Sequence, residues 1–292
     1  MSIQPRLNRL LASDGRCFDV AIDHGFFNQY GFLEGIENIE ETIRVVCEAQ
    51  PDAIQLTPGQ ARVLQDLRLD DKPALVLRTD VANIYGDERP AHLFSELIDR
   101  PVEQALALDA ACVVVNVLLL ENAPELHHSC LQNLAALKPA CERYGMPLMA
   151  EPLVMKTSGG GYASDGNPEK IIPLVRQAVE MGADVIKADP TDDVADYDGV
   201  IEAAGNIPVL VRGGSKGEDR DVLDRTYRII DRGGKGDRLR PQRHPARDAF
   251  RHDRRPNGHR PRRRHARRGD GEAPGRRVAA HRPFSLPDIR AN

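Results

Sequence analysis

Seven short apolar runs recur along the chain: "FDVAID" at 18–23, "DAIQL" at 52–56, "ALVLR" at 74–78, "ACVVVNV" at 111–117, "PLMAE" at 147–151, "DVIKA" at 184–188 and "PVLVR" at 208–212. Compact apolar runs of this kind are what strands buried on both faces require. Between them the apolar positions change to helical spacing, over 36–49, 59–67, 101–109, 124–144, 168–181, 194–204 and 218–231. Local punctuation agrees: Asn167-Pro168 opens one helix, Gly182 closes it, and Gly205 closes the next. Strand and helix in repeated alternation imply right-handed crossovers onto a parallel sheet. A doubly wound sheet and a closed (β/α)8 TIM barrel both satisfy the pattern.

The polar positions separate the two. The loop after the first strand, "DHGFFNQYG", has no GxGxxG, and no GxxxxGK[ST] occurs in the chain. Polar residues gather instead at the ends of several strands: Asp23 and His24 after the first, Glu151 ending the fifth, Lys187 in the sixth, and Arg212-Gly213-Gly214-Ser215 after the seventh. An open sheet would string these along an edge. A barrel brings them to one face, where active sites of that fold are built.

Lys187 sits in an otherwise apolar strand, and a buried ammonium requires a partner or the loss of its proton. Two readings follow. Lys187 either snorkels or pairs with Asp189, or it is a Schiff-base nucleophile whose apolar wall leaves the nitrogen neutral and able to attack a ketone. Asp23 and Glu151 are candidates for moving protons at an adjacent hydroxyl, or are carboxylates capping loop amides. The glycines of "VRGGSKG" (211–217) let backbone amides approach an anion, and the loops after strands seven and eight of barrels often hold phosphate. The "TSGGGYASDGN" segment (157–167) reads as a lid or as an unstructured surface loop. His127-His128 lacks a partner at metal-ligand spacing and is expected on a solvated helical face.

Composition adds limits. At 292 residues and 41% apolar content the chain can bury a sizeable core. Residues 1–236 hold 23 Lys/Arg against 38 Asp/Glu, whereas 237–292 hold 17 against 6, so an acidic body carries a basic tail. The five cysteines are scattered without a CxxC pair, which fits a reducing compartment and implies neither disulfides nor zinc fingers. With no amino-terminal signal and no apolar run approaching the roughly 20 residues of a bilayer span, a cytoplasmic protein without membrane contact is expected.

Four stretches together, "AIDHG", "DAIQLTPGQAR", "VIKADPTDD" and "PVLVRGGSK", resemble the DeoC/LacD/FbaB group of class I aldolases, particularly the archaeal-type fructose-bisphosphate aldolases. The similarity runs in order from about residue 10 to residue 236. The resemblance implies that Lys187 forms the imine, that Asp23 is the first-strand acid, and that Gly213, Gly214 and Ser215 belong to a phosphate loop. Arg212 and His24 would join that substrate site. Where the archaeal-type enzymes have a proton-transferring tyrosine this chain reads "AEPLVM", with Leu153 near that place. "AEPL" is more similar to tagatose-bisphosphate and sulfofructose-phosphate aldolases, which carries the proton-transfer role onto Glu151. The implied reaction is cleavage or formation of a ketose phosphate such as fructose 1,6-bisphosphate, needing neither metal nor cofactor, in carbohydrate metabolism such as glycolysis. Within the same superfamily, a 2-amino-3,7-dideoxy-heptulosonate synthase or an autoinducer-processing thiolase fits too. A different class also fits: an inactive barrel that only binds sugar phosphates, or nucleic acid through its tail.

The eighth strand is missing from this pattern. After residue 236 the chain is rich in Arg, Pro, His and Gly without periodicity, and no lysine follows Lys235. A barrel of about seven βα units over 1–236 is therefore expected, its eighth strand and helix lost or replaced by a disordered basic tail over 237–292. Nucleic acid is not the expected partner, and a homo-oligomer is expected if the barrel is intact. Plausible codons for "GDRLRPQRHPAR", read one base out of step, permit "GIVYGRNVIQHA", which resembles the eighth strand and phosphate loop of the family. We hypothesise a one-base insertion, or a sequencing error, near the codon of Gly236, and an intact frame on resequencing the gene would end that explanation.

Overall fold

The computed structural model describes residues 1–27, 33–69, 71–85, 88–213 and 219–238, with residues 219 and 236–238 described by backbone alone. The chain enters through helix α1 (Gln4–Leu10) and strand β1 (Cys17–Ala21). It continues through α2 (Ile39–Glu48), β2 (Ala53–Leu56), α3 (Pro58–Asp66) and β3 (Ala74–Arg78). A short antiparallel pair, β4 (Asp80–Ala82) and β5 (Ser95–Leu97), then precedes α4 (Pro101–Ala107) and β6 (Cys112–Leu120). Helix α5 (Pro124–Tyr144) leads to β7 (Leu148–Ser158), which folds back as β8 (Gly161–Ser164). The chain closes with α6 (Pro168–Glu180), β9 (Val185–Ala188), α7 (Tyr197–Ala204), β10 (Val209–Arg212), α8 (Asp219–Asp231) and β11 (Gly236–Arg238).

Strands β1, β2, β3, β6, β7, β9, β10 and β11 pair in parallel in that order, and β11 returns to β1. The protein is thus a (β/α)8 TIM barrel. All seven strands and all seven helices expected from the apolar pattern form, and local chemistry explains their starts. Thr57 and Gln60 make a reciprocal capping box ahead of α3, and Asn167 caps α6 by accepting from the Glu169 amide. Gly145 ends α5 at φ +61°, where a β-carbon would stand 2.6 Å from the Ser2 carbonyl oxygen, so conformation and space both require glycine.

Three features depart from the sequence pattern. First, three residues of an eighth strand exist where none is predicted: β11 pairs Gly236 with both Cys17 and Leu210. Ladder bonds use only the backbone, so the unpaired edges of β1 and β10 can capture a short segment whatever its side chains. The backbone of Lys235 already bridges both neighbours, donating to Val209 O at 2.8 Å and accepting from the Cys17 amide at 2.8 Å. The rest of the basic tail, and the out-of-frame reading built on it, lie outside the described residues. Second, the glycine-rich segment is not an unstructured loop but starts as an ordered hairpin, with β7 paired to β8 from Met155 with Ser164 to Ser158 with Gly161. Third, His127 is not on a solvated face: its Nδ1 lies 2.9 Å from the Leu118 carbonyl oxygen, while His128 is exposed.

Alternation along each strand divides the core. Ile54, Leu56, Leu75, Leu77, Ile186 and Ala188 belong to the large cluster between sheet and helices. The intervening positions face the barrel axis, where Cys17, Ala53, Val76, Val114, Met149, Val185 and Leu210 form a separate apolar cluster that includes Leu10 of α1. Helix α1 therefore seals the amino-terminal end of the barrel, a role its sequence alone does not announce. Leu10→Ala is expected to cost about 2–5 kcal/mol, read as a lower urea midpoint, because the cavity forms at a fully buried side chain. An unchanged midpoint would show that the seal carries no load.

Candidate active site

One step further along each strand the axis-facing positions turn from apolar to polar or charged. On β1 the sequence runs Cys17, Asp19, Ala21 and then Asp23; on β2, Ala53 and Gln55; on β3, Val76 and Arg78; on β7, Met149 and Glu151; on β9, Val185 and Lys187. Parallel pairing fixes their heights, with Ala21 beside Gln55, Asn116 beside Glu151, and Lys187 beside Leu210. A polar layer thus rests on an apolar floor at the carboxyl ends of the strands.

Lys187 is fully buried. The apolar wall anticipated around its nitrogen is not what it meets. Nζ contacts Asp19 Oδ2 and Gln55 Oε1 and lies 3.4 Å from Glu151 Oε1. Nor is Asp189 its partner, since the sheet hands that residue to Arg212. Gln55 links two sides of the layer: its Oε1 accepts from Lys187 while its Nε2 donates to Asp23 Oδ2 at 2.7 Å.

Arg78 joins the carboxylates. Nε donates to Asp23 Oδ2 at 2.7 Å, Nη1 to Asp80 Oδ1 at 3.1 Å, and Nη2 to Glu151 Oε2. Lys187, Gln55, Asp23, Arg78 and Glu151 therefore close a ring of contacts. Burial opposes the Arg78 charge, but Glu151, Asp23 and Asp80 outweigh it and push the guanidinium well above its ordinary pKa. Burial is also the largest influence on Asp80, raising its carboxyl against the pull of Arg78 and of the Asn116 hydrogen bonds. Asn116 donates from Nδ2 to Asp80 Oδ2 at 2.9 Å, and Ser95, itself bonded by Asn133, donates from Oγ at 3.4 Å. Phe27 covers Arg78, its ring centre 5.0 Å from the guanidinium carbon.

Arg212 lies at the same end of the barrel, with Nη1 3.3 Å from Asp189 Oδ1 and 3.4 Å from the Tyr85 hydroxyl. Burial opposes its charge too, and Asp189 with Tyr85 and Glu151 raises its pKa overall. Gly213 follows, its carbonyl accepting from Arg225 Nη2 at 2.9 Å. Gly214 and Ser215 lie outside the described residues. His24 is buried in the single 3₁₀ turn (His24–Phe27) after β1. Of the residues singled out in the sequence, Lys187, Asp23 and Glu151 thus share one network, and Arg212 stands near it.

Arg78, Asp19, Gln55, Asp80 and Asn116 complete that network without having been singled out. A signal existed for Arg78: "ALVLR" places a charge at the end of an apolar strand, as "DVIKA" does for Lys187. Asp19 and Gln55 lie inside runs that read as ordinary strand. Only the inward alternation of β1 and β2 turns them toward Nζ.

The model of the DeoC/LacD family aldolases matches residues 17–236, from the first barrel strand to the start of the eighth. An uncharacterized aldolase of Saccharolobus solfataricus is 29% identical over 237 residues, covering 77% of this chain and 82% of its own. A 3-hydroxy-5-phosphonooxypentane-2,4-dione thiolase of Yersinia pestis is 30% identical over 235 residues, covering 80% of this chain and 74% of its own. Among solved structures, an archaeal fructose-1,6-bisphosphate aldolase whose catalytic lysine is bound to the carbinolamine intermediate of its substrate superposes with a TM-score of 0.70. That match covers 85% of this chain and 97% of the other at 21% identity, a likeness of fold. On the extent of the family match, this chain belongs to the DeoC/LacD family of aldolases.

Proposed function

We propose that the protein is a class I aldolase that cleaves or forms a ketose phosphate, such as fructose 1,6-bisphosphate, through a Schiff base on Lys187. The observation that carries this reading is the ring of contacts around a fully buried lysine: an amine at the carboxyl end of a barrel, touching carboxylates on two sides. An archaeal structural neighbour that holds an intermediate on its own lysine supports it.

The ammonium first gives a proton to Asp19, whose Oδ2 it already contacts. Neutral Nζ attacks the keto carbon, the carbonyl oxygen takes up the proton held by Asp19, and the attacking nitrogen passes one of its own protons to Glu151 to give a neutral carbinolamine. Glu151, 3.4 Å from Nζ, then returns that proton to the departing hydroxyl, so that water leaves and a protonated imine remains. Asp23, just beyond β1 toward the barrel mouth, removes the proton from the hydroxyl two carbons away. The carbon-carbon bond breaks, its electron pair passes into the imine, and an aldehyde departs. Reprotonation of the enamine and addition of water release the second product and the lysine. Arg78, bonded to both Asp23 and Glu151, keeps those carboxylates apart and oriented. Arg212, Gly213, Gly214, Ser215 and His24 would complete the substrate site. The enzyme would work in the cytoplasm as a homo-oligomer.

Sodium borohydride added with fructose 1,6-bisphosphate or dihydroxyacetone phosphate should reduce the imine and leave a stable adduct on the Lys187 peptide, read by mass spectrometry. Activity untouched by borohydride and abolished by chelators would discard the mechanism. The Yersinia relative supports a second reading, attack on a phosphorylated diketone. Product analysis separates them, since only an aldolase converts fructose 1,6-bisphosphate into two triose phosphates.

A further inference from the structure

Asp189 and Arg212 occupy the carboxyl ends of neighbouring strands, with 1% and 3% of their surface exposed. Their only mutual contact is the 3.3 Å approach of Nη1 to Oδ1. Neither Asp189 oxygen has a hydrogen-bond partner among the described residues, and neither does Arg212 Nε. A buried carboxylate with both oxygens unbonded, beside a guanidinium with an unused N–H, is costly unless a ligand completes it. The guanidinium is held in place by Tyr85, whose ring centre is 5.7 Å from its central carbon. Asp189 lies two residues beyond Lys187 on the same side of the strand, about 7 Å closer to the barrel mouth. A substrate chain held at Lys187 and extending toward the mouth would pass this pair.

The charge of the pair selects the ligand. An arginine alone would suit a phosphate, as the sequence suggests for Arg212, but Asp189 cancels its charge and repels an anion. Hydroxyl groups satisfy both partners, donating to the carboxylate oxygens and accepting from Nε. We infer that Asp189 and Arg212 form a hydroxyl-reading subsite that binds adjacent hydroxyls of an open-chain sugar phosphate, and that the substrate is therefore polyhydroxylated beyond the bond that breaks. This inference rests on the proposal that the barrel mouth accepts a ketose phosphate.

The test compares two bisphosphates by calorimetry, a hexitol 1,6-bisphosphate and hexane-1,6-diol bisphosphate. They share chain length and phosphates and differ in hydroxyls, and neither has a carbonyl, so imine formation plays no part. The wild-type protein should bind the hexitol compound at least about 100-fold more tightly, because a site built for hydroxyls rejects an analogue lacking them. Asp189→Asn and Arg212→Met should each reduce that ratio about tenfold or more. Equal binding of the two compounds by wild-type protein, or no binding of either, overturns the subsite without reference to any variant. So does a ratio that survives in both variants. A hydroxyl preference in a protein that borohydride fails to label would instead remove the Schiff base and leave the subsite standing.

Discussion

Lys187→Met is expected to lower aldol cleavage by about four orders of magnitude or more and to eliminate borohydride labelling, because among the described residues no other amine contacts the ring of side chains through which the protons move. The same change should destabilise the fold. Methionine fills much of the lysine volume, but Asp19, fully buried, loses the cation it contacts, while Glu151 keeps Arg78. Removing one partner of a buried ion pair costs about 3–5 kcal/mol. The double variant Asp19→Asn/Lys187→Met should recover most of that stability and none of the activity. Urea unfolding and a coupled triose phosphate assay, run on the same preparations, read the two effects separately. Substantial cleavage by stable Lys187→Met protein would end the Schiff-base reading.

Arg78→Met should have the largest effect on stability. Three buried carboxylates, Asp23, Asp80 and Glu151, share this one guanidinium, so its loss strands more charge than any other substitution among the described residues. A cost of about 3–5 kcal/mol or more follows, and Arg78→Lys should recover only part of it, since an ammonium lacks the planar fork that reaches three partners. The pH dependence has a definite sign. Burial raises the Asp80 carboxyl, so the folded protein keeps that proton to a higher pH than the unfolded chain. The stability linked to it is complete in acid and is lost as the pH rises through the folded value. Without the opposing pull of Arg78 that loss grows, and the stability gap between wild type and Arg78→Met should widen from about pH 4 to pH 8. A gap that narrows over this range would contradict the assignment of Arg78 as the cation holding these carboxylates in their charged state.

The layer as a whole contains Lys187, Arg78 and Arg212 against Asp19, Asp23, Asp80, Glu151 and Asp189, all buried. With every group ionised, carboxylates outnumber cations in this buried layer by two. An excess of carboxylates beside a lysine is suited to taking protons from a substrate.

The amino-acid sequence by itself determined the periodicity, and with it the order of strands and helices, because a strand buried on both faces and an amphipathic helix leave patterns set by local geometry. It also marked Lys187, since a charge within an apolar strand is conspicuous against its neighbours. The ring of contacts could not be read that way. Asp19 and Lys187 are 168 positions apart, and Arg78 and Glu151 are 73 apart. Whether such residues touch depends on strand register and on closure of the sheet into a ring, which are properties of the whole chain. The eighth strand makes the same point from the other side. Its side chains give no strand pattern, yet two unpaired edges and the reach of the backbone suffice to hold Gly236–Arg238 between β1 and β10. Tertiary structure alone decided these contacts, because backbone pairing and burial act on whatever side chains the fold brings within reach.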